Sequence, residues 1–524
     1  MPTTTITSTS VFHFVISQAV FSQAVFSFCA MNAQRLLATL LAATIAAVVL
    51  VMLWLRLSLN FNTPYLDECD YMFVGRVLLS GVEWKTHTYI FSSDLPLLLM
   101  GVADRLGGYL AARSLAAVLG VWSLWWYYRA VKALFGNEEH TQSNGEQTAR
   151  WATLILALQA PHIFISKFAT YDIVCMAFFA PALWAAAKAL RDERGAAVAM
   201  RYALLAAALL VCAVMSKYIA LAYAPILVLL LFTRSRSAAV AAFALGAVAL
   251  GAYVFAHRED LLALYRLQIL GDHKANSTYA QILSIIGQYC GLLFVLTVAA
   301  WLLVRSKTTF LSPWLYLCLL VCALPLPLYH IYTRDLLSLN KHAVYATLFL
   351  APIVADMLRR GFDAPLLPRW RIHLFAIIAI AAMAALAWYH VGQMQRAFPN
   401  TARVVNYVRE HSTPQTSIMS EDPYLFRYHF YPTLPIAQLA EITWFDNNMD
   451  GKHEEQDVVD ALWEGKFEYV YINEQNTSYE LRRKLTEGVL PRCYEKVYEE
   501  PYNISQVMNR HDAGALQLYR RRPQ

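Results

Sequence analysis

The sequence predicts a polytopic α-helical membrane protein of about eleven transmembrane helices with a small C-terminal α/β soluble domain. Three observations predict it. The 524 residues are 58% apolar and only 15% charged, with a mean hydropathy of +0.39, a balance that soluble globular chains do not have. Apolar stretches of about 15–25 residues, each long enough to cross a bilayer, recur over the first three quarters of the chain. From about Arg396 onward these stretches cease and charge rises.

The first 33 residues carry a direct repeat, SQAVF at 17–21 and again at 22–26. They have neither the basic start nor the small-residue cleavage site of a signal peptide. Met31, followed by Arg35 and an apolar run, is the better start, and 1–33 reads as a dispensable N-terminal extension. The expected spans are 37–55, 109–135, 151–165, 171–190, 198–215, 218–232, 238–256, 282–304, 311–332, 343–358 and 372–391. Together they make a membrane domain over 34–395.

The net charge of +6 resides in short clusters between these spans rather than in a basic groove, which argues against a nucleic-acid partner. With the N-terminus cytoplasmic, the inside loops hold Arg191, Arg194 and Arg201, then Arg234 and Arg236, Arg305 and Lys307, and Arg359, Arg360, Arg369 and Arg371. That is the positive-inside pattern. An odd number of crossings then puts the C-terminal domain, 396–524, outside, together with a long first outer loop over 57–108. Most of the eight cysteines lie within apolar runs and none forms a CxxC pair, so neither a zinc site nor a disulfide framework is expected.

In the C-terminal domain, 416–420, 467–472 and 515–519 read as strands, and 401–410 and 456–463 as amphipathic helices. No Gly-rich phosphate loop and no catalytic triad is visible there. Its aromatic residues Tyr424, Phe426, Tyr428, Phe430, Tyr431, Trp444 and Phe445 suit either carbohydrate stacking or the domain's own core and its seat on the membrane.

The first outer loop is the informative segment. Asp67, Glu68 and Asp70 follow the first span at once, and 71–79 continues as an amphipathic piece suited to the membrane surface. Three carboxylates in four positions are also what any solvated loop carries. Other outer helix ends bring Lys167, Asp172, Lys217, Arg258, Glu259, Asp272, His273, Lys274, Arg334, Asp335, Lys341 and His342. Ionisable groups at such depths are costly unless paired or hydrated, which makes each a functional candidate, although Lys167 and Lys217 also fit cations snorkelling from helix ends. Carboxylates and cations converging at the outer leaflet suit displacement at a sugar carbon with a lipid phosphate leaving. A carboxylate takes the proton of the incoming hydroxyl, and Lys or Arg stabilises the charge on the phosphate. No nucleotide-sugar domain is visible, so a lipid-linked donor is the consistent choice.

The segments PYLDECDYMFVGRVLLSGVEW, AARSLAAVLG, ATYDIVCMAFF, MSKYIALAYAP and NKHAVYATLFLAPIVAD, in this order, resemble the GT-C class of integral-membrane glycosyltransferases. The similar branch is the bacterial one related to protein O-mannosyltransferases and to the lipid A aminoarabinose transferase. The resemblance implies a polyprenyl-phosphate sugar donor, and a lipid, polysaccharide or protein acceptor in the cell envelope at the outer face of the bacterial inner membrane. It also implies Asp67 as catalytic base, with Glu68 beside it and Asp172 as a second catalytic aspartate. Lys217 and Lys341 would take the donor phosphate, with Arg76, Lys85 and Arg113 as further phosphate contacts. Where the lipid A branch has a Lys-Pro-Pro type sequence, this chain has Ser93, Asp94, Leu95 and Pro96. Lys85 or His87 would then replace the missing lysine, or the acceptor differs. Some relatives use a divalent metal, for which Asp70, His257 and His273, with Asp67, are the candidate ligands.

Two other classes share part of this pattern. A flippase of lipid-linked sugars would have as many helices, but internal repeats with paired helix breaks are expected of it and none is found. A non-catalytic envelope assembly protein would use the C-terminal domain as its binding surface.

Overall fold

The computed structural model describes residues 35–64, 67–82, 93–136, 142–191, 195–265, 277–304, 313–336, 338–363, 369–443, 445–447, 454–473, 479–503 and 513–523. The expected N-terminal extension, 1–33, lies outside these residues, as do Lys85, His87 and His273.

The described residues begin with the lipid-facing helix α1 (Arg35–Leu57). The segment after α1 then folds into α2 (Asp67–Leu79) and the start of α3 (Leu95–Phe135). Helix α2 has Asp67, Glu68 and Asp70 in its first turn and Arg76 in its last, the arrangement that complements the helix dipole. Helix α3 starts with Pro96 in its first turn, where the missing N–H costs nothing. It is broken at Gly107 and Gly108, the latter at φ +68°, so a loop segment and a true span meet at a kink. Helices α2 and α3 cross with backbone against backbone. A Cβ at Gly75 would lie 2.1 Å from the Leu97 carbonyl oxygen, and one at Gly101 would lie 2.5 Å from the Gly75 carbonyl carbon.

There follow α4 (Gln142–Ala157), α5 (Ala160–Ile165), α6 (Tyr171–Arg191) and α7 (Ala196–Ser216). A 3-10 turn (Tyr218–Tyr223) leads into α8 (Ala224–Arg234), α9 (Arg236–Ala256) and the short α10 (Arg258–Leu264). Helix α11 (Tyr279–Ile286) runs through a π turn at Gly287–Gly291 into α12 (Leu292–Val304). After α13 (Pro313–Ala323) and α14 (Pro325–Thr333) come the long helices α15 (Leu339–Asp363) and α16 (Arg369–Gln395). The most apolar stretch of α15 is 94% buried and that of α6 72%, against 17% for α1 and for α9. Helices α6 and α15 are therefore the centre of the bundle, and α1 and α9 face lipid.

Among the described residues, nine helices are long and apolar enough to cross a membrane, against the eleven expected. The remaining two expected spans are helical but shorter. The span 151–165 is cut at Leu158–Gln159 into α4 and α5. The segment Tyr218–Thr233 is a helix of intermediate length. Each apolar run reads as a span because hydropathy does not register where a run changes direction.

The C-terminal part alternates α17 (Ala402–His411), β1 (Ile418–Ser420), α18 (Pro423–Phe430), β2 (Leu439–Glu441), α19 (Glu455–Trp463), β3 (Tyr469–Ile472), α20 (Tyr479–Arg483), α21 (Leu490–Cys493), β4 (Tyr494–Asn503) and β5 (Ala513–Arg521). The sheet order is β2-β1-β3-β5-β4, with β2, β1 and β3 parallel and β5 and β4 antiparallel. Strand β2 and the full β4 are not legible as strands from sequence, since β2 is three residues long and β4 is studded with charge. Phe426, Tyr428 and Phe430 are buried, and Tyr424 and Tyr431 pack on Phe73 of α2. The described aromatics thus serve the domain's core and its seat on α2, rather than a stacking surface.

Candidate functional site

Four charged side chains from four elements meet in a row of alternating sign. Asp67 opens α2, Lys341 lies in the first turn of α15, Asp172 opens α6, and Lys217 caps the end of α7. Lys341 Nζ donates to Asp67 Oδ2 at 2.9 Å and lies 3.6 Å from Asp172 Oδ2. Lys217 donates to the other oxygen of Asp172, and the Thr170 hydroxyl donates to Asp172 Oδ2 at 3.2 Å. The side chains of Lys341, Asp172 and Lys217 are 2–4% exposed, whereas that of Asp67 is 37% exposed. Three buried charges are held by pairing, as burial demands, and the carboxylate at the open end of the row is Asp67. Aromatic faces line the two lysines: Lys217 sits 4.6 Å from the centre of the Tyr171 ring and Lys341 5.8 Å from that of Phe168.

Glu68 and Arg113 are fully buried and paired bidentately, at 2.9 Å and 2.6 Å. Glu68 also accepts from the Ala169 N–H at 2.9 Å, and Arg113 Nη1 donates to the carbonyls of Leu59 and Asn62 at 2.7 Å and 2.9 Å. This pair joins α2, α3, the chain before α2 and the turn before α6. Its geometry is that of a brace, and neither group faces an opening. Arg76 lies about 13 Å along α2 from Asp67. It is bound to Asp104 and donates to the Tyr428 carbonyl at 3.2 Å.

Asp70, one turn after Asp67, is buried against the C-terminal domain, and its Oδ1 has no hydrogen-bond partner among the described residues. Burial, with Asp67 and Glu441 nearby, pushes its carboxyl well above the usual carboxylate range. His257 is exposed at the end of α9 with its ring against Tyr253. Among the described residues no three His, Cys, Asp or Glu side chains are grouped as metal ligands.

Lys167 and Lys217 do not snorkel outward. Lys167 is wholly buried, donates to the Leu55 carbonyl at 2.7 Å, and sits 4.8 Å from the centre of the Phe61 ring. Burial, with Arg113 and Arg56 near it, brings its ammonium down to about 7. A histidine pair adjoins the row. His330 Nδ1 meets the Asp335 carbonyl oxygen at 2.7 Å, and its Nε2 meets His342 Nδ1 at 2.8 Å. A carbonyl only accepts, so His330 Nδ1 carries a proton. In the uncharged pair His342 Nδ1 then donates to His330 and leaves His342 Nε2 as a buried acceptor. His330 escapes the sequence reading because it lies inside an apolar run. The signal that finds it is that same oddity, an ionisable side chain within a span.

No described protein family and no curated protein sequence matches the chain. Solved structures do. ArnT from Cupriavidus metallidurans in the apo state aligns with a TM-score of 0.57 at 14% identity, covering 93% of this chain and all of that one. The same protein bound to undecaprenyl phosphate gives 0.56 at 14%, covering 92% and 99%. AglB, the oligosaccharyltransferase of Archaeoglobus fulgidus, in complex with an inhibitory peptide and a dolichol-phosphate, gives 0.55 at 14%, covering 88% and 73%. The chain therefore has the fold of these GT-C membrane proteins over about nine tenths of its length, as the resemblance implied.

Proposed function

We propose that the protein is a glycosyltransferase that moves a sugar from a polyprenyl-phosphate donor to an acceptor hydroxyl at the outer face of the bacterial inner membrane. The observation that carries this reading is the alternating row Asp67, Lys341, Asp172, Lys217, open to solvent only at Asp67. The fold supports it, since the similar structures include one with undecaprenyl phosphate and one with a dolichol-phosphate bound.

In this reading the donor phosphate approaches the Asp67 end of the row and draws on Lys341, with Lys217 behind it. Asp172 holds both ammonium groups in place before the phosphate arrives, so their reorganisation does not fall on the reaction itself. Released from Lys341, Asp67 accepts the proton of the acceptor hydroxyl as its oxygen bonds to the anomeric carbon. The bond from that carbon to the phosphate oxygen breaks, and its electron pair leaves with the polyprenyl phosphate. Glu68 and Arg113 position α2 and touch neither substrate.

Orientation follows the charge pattern. On α15, Asp356 with its partners Arg359 and Arg360 lies about 22 Å along the helix from Lys341. With that arginine-rich end cytoplasmic, the row faces the outer leaflet and the C-terminal domain is extracytoplasmic. Mass spectrometry of lipid, polysaccharide and protein fractions tests the proposal in cells making the wild type, Asp67→Asn or neither. A sugar-sized increment seen only with the wild type identifies sugar and acceptor. Equal increments from a well-folded Asp67→Asn would remove Asp67 as the base.

A further inference from the structure

Helix α2 presents Asp67 at one end, and the C-terminal domain grips it at both. Ahead of α2, Asn62 Nδ2 donates to the Phe398 carbonyl at 2.9 Å, the Thr63 and Thr401 hydroxyls meet at 3.0 Å, and the Thr401 N–H donates to Thr63 Oγ1 at 3.0 Å. Midway, the Phe73 ring lies edge-on to Tyr431 at 5.6 Å and against Tyr424 at 6.3 Å. In the last turn Arg76, Asp104 and Tyr428 close a three-way contact. Arg76 binds Asp104, whose side chain is fully buried, and Tyr428 Oη donates to Asp104 Oδ1 at 2.8 Å. The Arg76 guanidinium also lies 4.5 Å over the Tyr428 ring and donates to the Tyr428 carbonyl at 3.2 Å.

A solvated loop helix needs none of this. The contacts join α2, α3 and α18, and the one buried carboxylate among them is satisfied by groups from both domains. We infer that Tyr428, with Asp104 and Arg76, is a positioning element that fixes α2 and so sets Asp67 against Lys341. The C-terminal domain is then part of the catalytic apparatus rather than an appended binding module. The catalytic half of this inference rests on the assignment of Asp67 under the proposed function. The mechanical half does not.

The test uses the full chain in nanodiscs, as wild type, Tyr428→Phe, Asp104→Asn and the double variant. Tyr428→Phe keeps the ring and the backbone contact and removes one hydroxyl. Hydrogen exchange of the α2 amides should accelerate in each variant, while the β1 and β3 amides keep their protection. Turnover should fall about tenfold, the worth of one hydrogen bond to a charged group. The KM for the donor and the affinity for undecaprenyl phosphate should hold steady, and the double variant should be no worse than the worse single one, as members of one network behave. Unchanged α2 exchange would overturn the clamp. So would a loss of thermal stability with the turnover of the folded fraction intact, since that is what a merely structural role gives. A wild type that transfers nothing would overturn the transferase reading instead, and the exchange of α2 would still decide the clamp.

Discussion

Replacing Asp172 by Asn perturbs the charge row at its centre. Asp172 is 2% exposed and binds Lys217 through one oxygen, while the other lies 3.6 Å from Lys341 and 3.2 Å from the Thr170 hydroxyl. At an effective dielectric of about 20, a pair at 3.6 Å attracts by roughly 5 kcal/mol, most of it offset by the desolvation both charges have already undergone. Losing the carboxylate leaves two buried ammonium groups with Asp67 alone to neutralise them. Breaking a buried pair in this way costs about 3–5 kcal/mol, a factor of roughly 10² to 10³ or more in the unfolding equilibrium. Swapping Asp172 and Lys217 together for Leu and Met removes both charges and should recover most of that loss. Thermal and denaturant unfolding in detergent measures both variants, with transfer activity read alongside. Both should be inactive, the single one unstable and the double one stable. Strictly additive losses, or an Asp172→Asn protein as stable as wild type, would refute the reasoning that the row is coupled.

Other outcomes follow from the same contacts. Glu68→Gln should destabilise the protein by about 3–5 kcal/mol, because it strands the fully buried Arg113, and thermal unfolding reads it. Gly75→Ala forces a Cβ into the Leu97 carbonyl and should lower stability by about 1–3 kcal/mol, with reduced turnover as α2 moves off α3. Asp70→Asn should stabilise at neutral pH. In the folded protein the Asp70 carboxyl holds its proton well above the ordinary range, so stability falls as pH rises past about 4, where the unfolded chain ionises. The gain from Asn is thus absent below about pH 4 and grows above it, which melting curves across that range would show.

The membrane fold was readable because its signal is long. A run such as 171–190 is unambiguous in hydropathy, and the Ser and Lys at 216–217 end α7 where the apolar run stops. The breaks at Leu158–Gln159 and Gly107–Gly108 were not readable, since they interrupt helices without interrupting apolar character. Within the site, Asp67, Asp172, Lys217 and Lys341 stand out in sequence as charges at helix ends, and the structure brings all four together. Sequence does not tell which charge each of these groups meets. Glu68 adjoins Asp67 yet turns into Arg113, because successive residues on a helix diverge by about 100°. Arg76 reads as a phosphate contact from sequence, and its bonds to Asp104 and to Tyr428, 352 residues away, are legible only in the structure.

The central claim is that Asp67 and Lys341 act on a lipid-linked sugar. The most direct test is the release of polyprenyl phosphate from a panel of undecaprenyl-phosphate sugars by purified protein in nanodiscs, with an envelope extract supplying the acceptor hydroxyls and with binding of undecaprenyl phosphate itself measured in parallel. Wild-type protein should release polyprenyl phosphate from at least one donor of the panel. Asp67→Asn should bind the lipid phosphate normally and cleave the donor at least about a hundredfold more slowly, the lower end of what a general base contributes. Lys341→Met should bind it weakly. Normal release by Asp67→Asn, or undiminished lipid binding by Lys341→Met, would contradict the account.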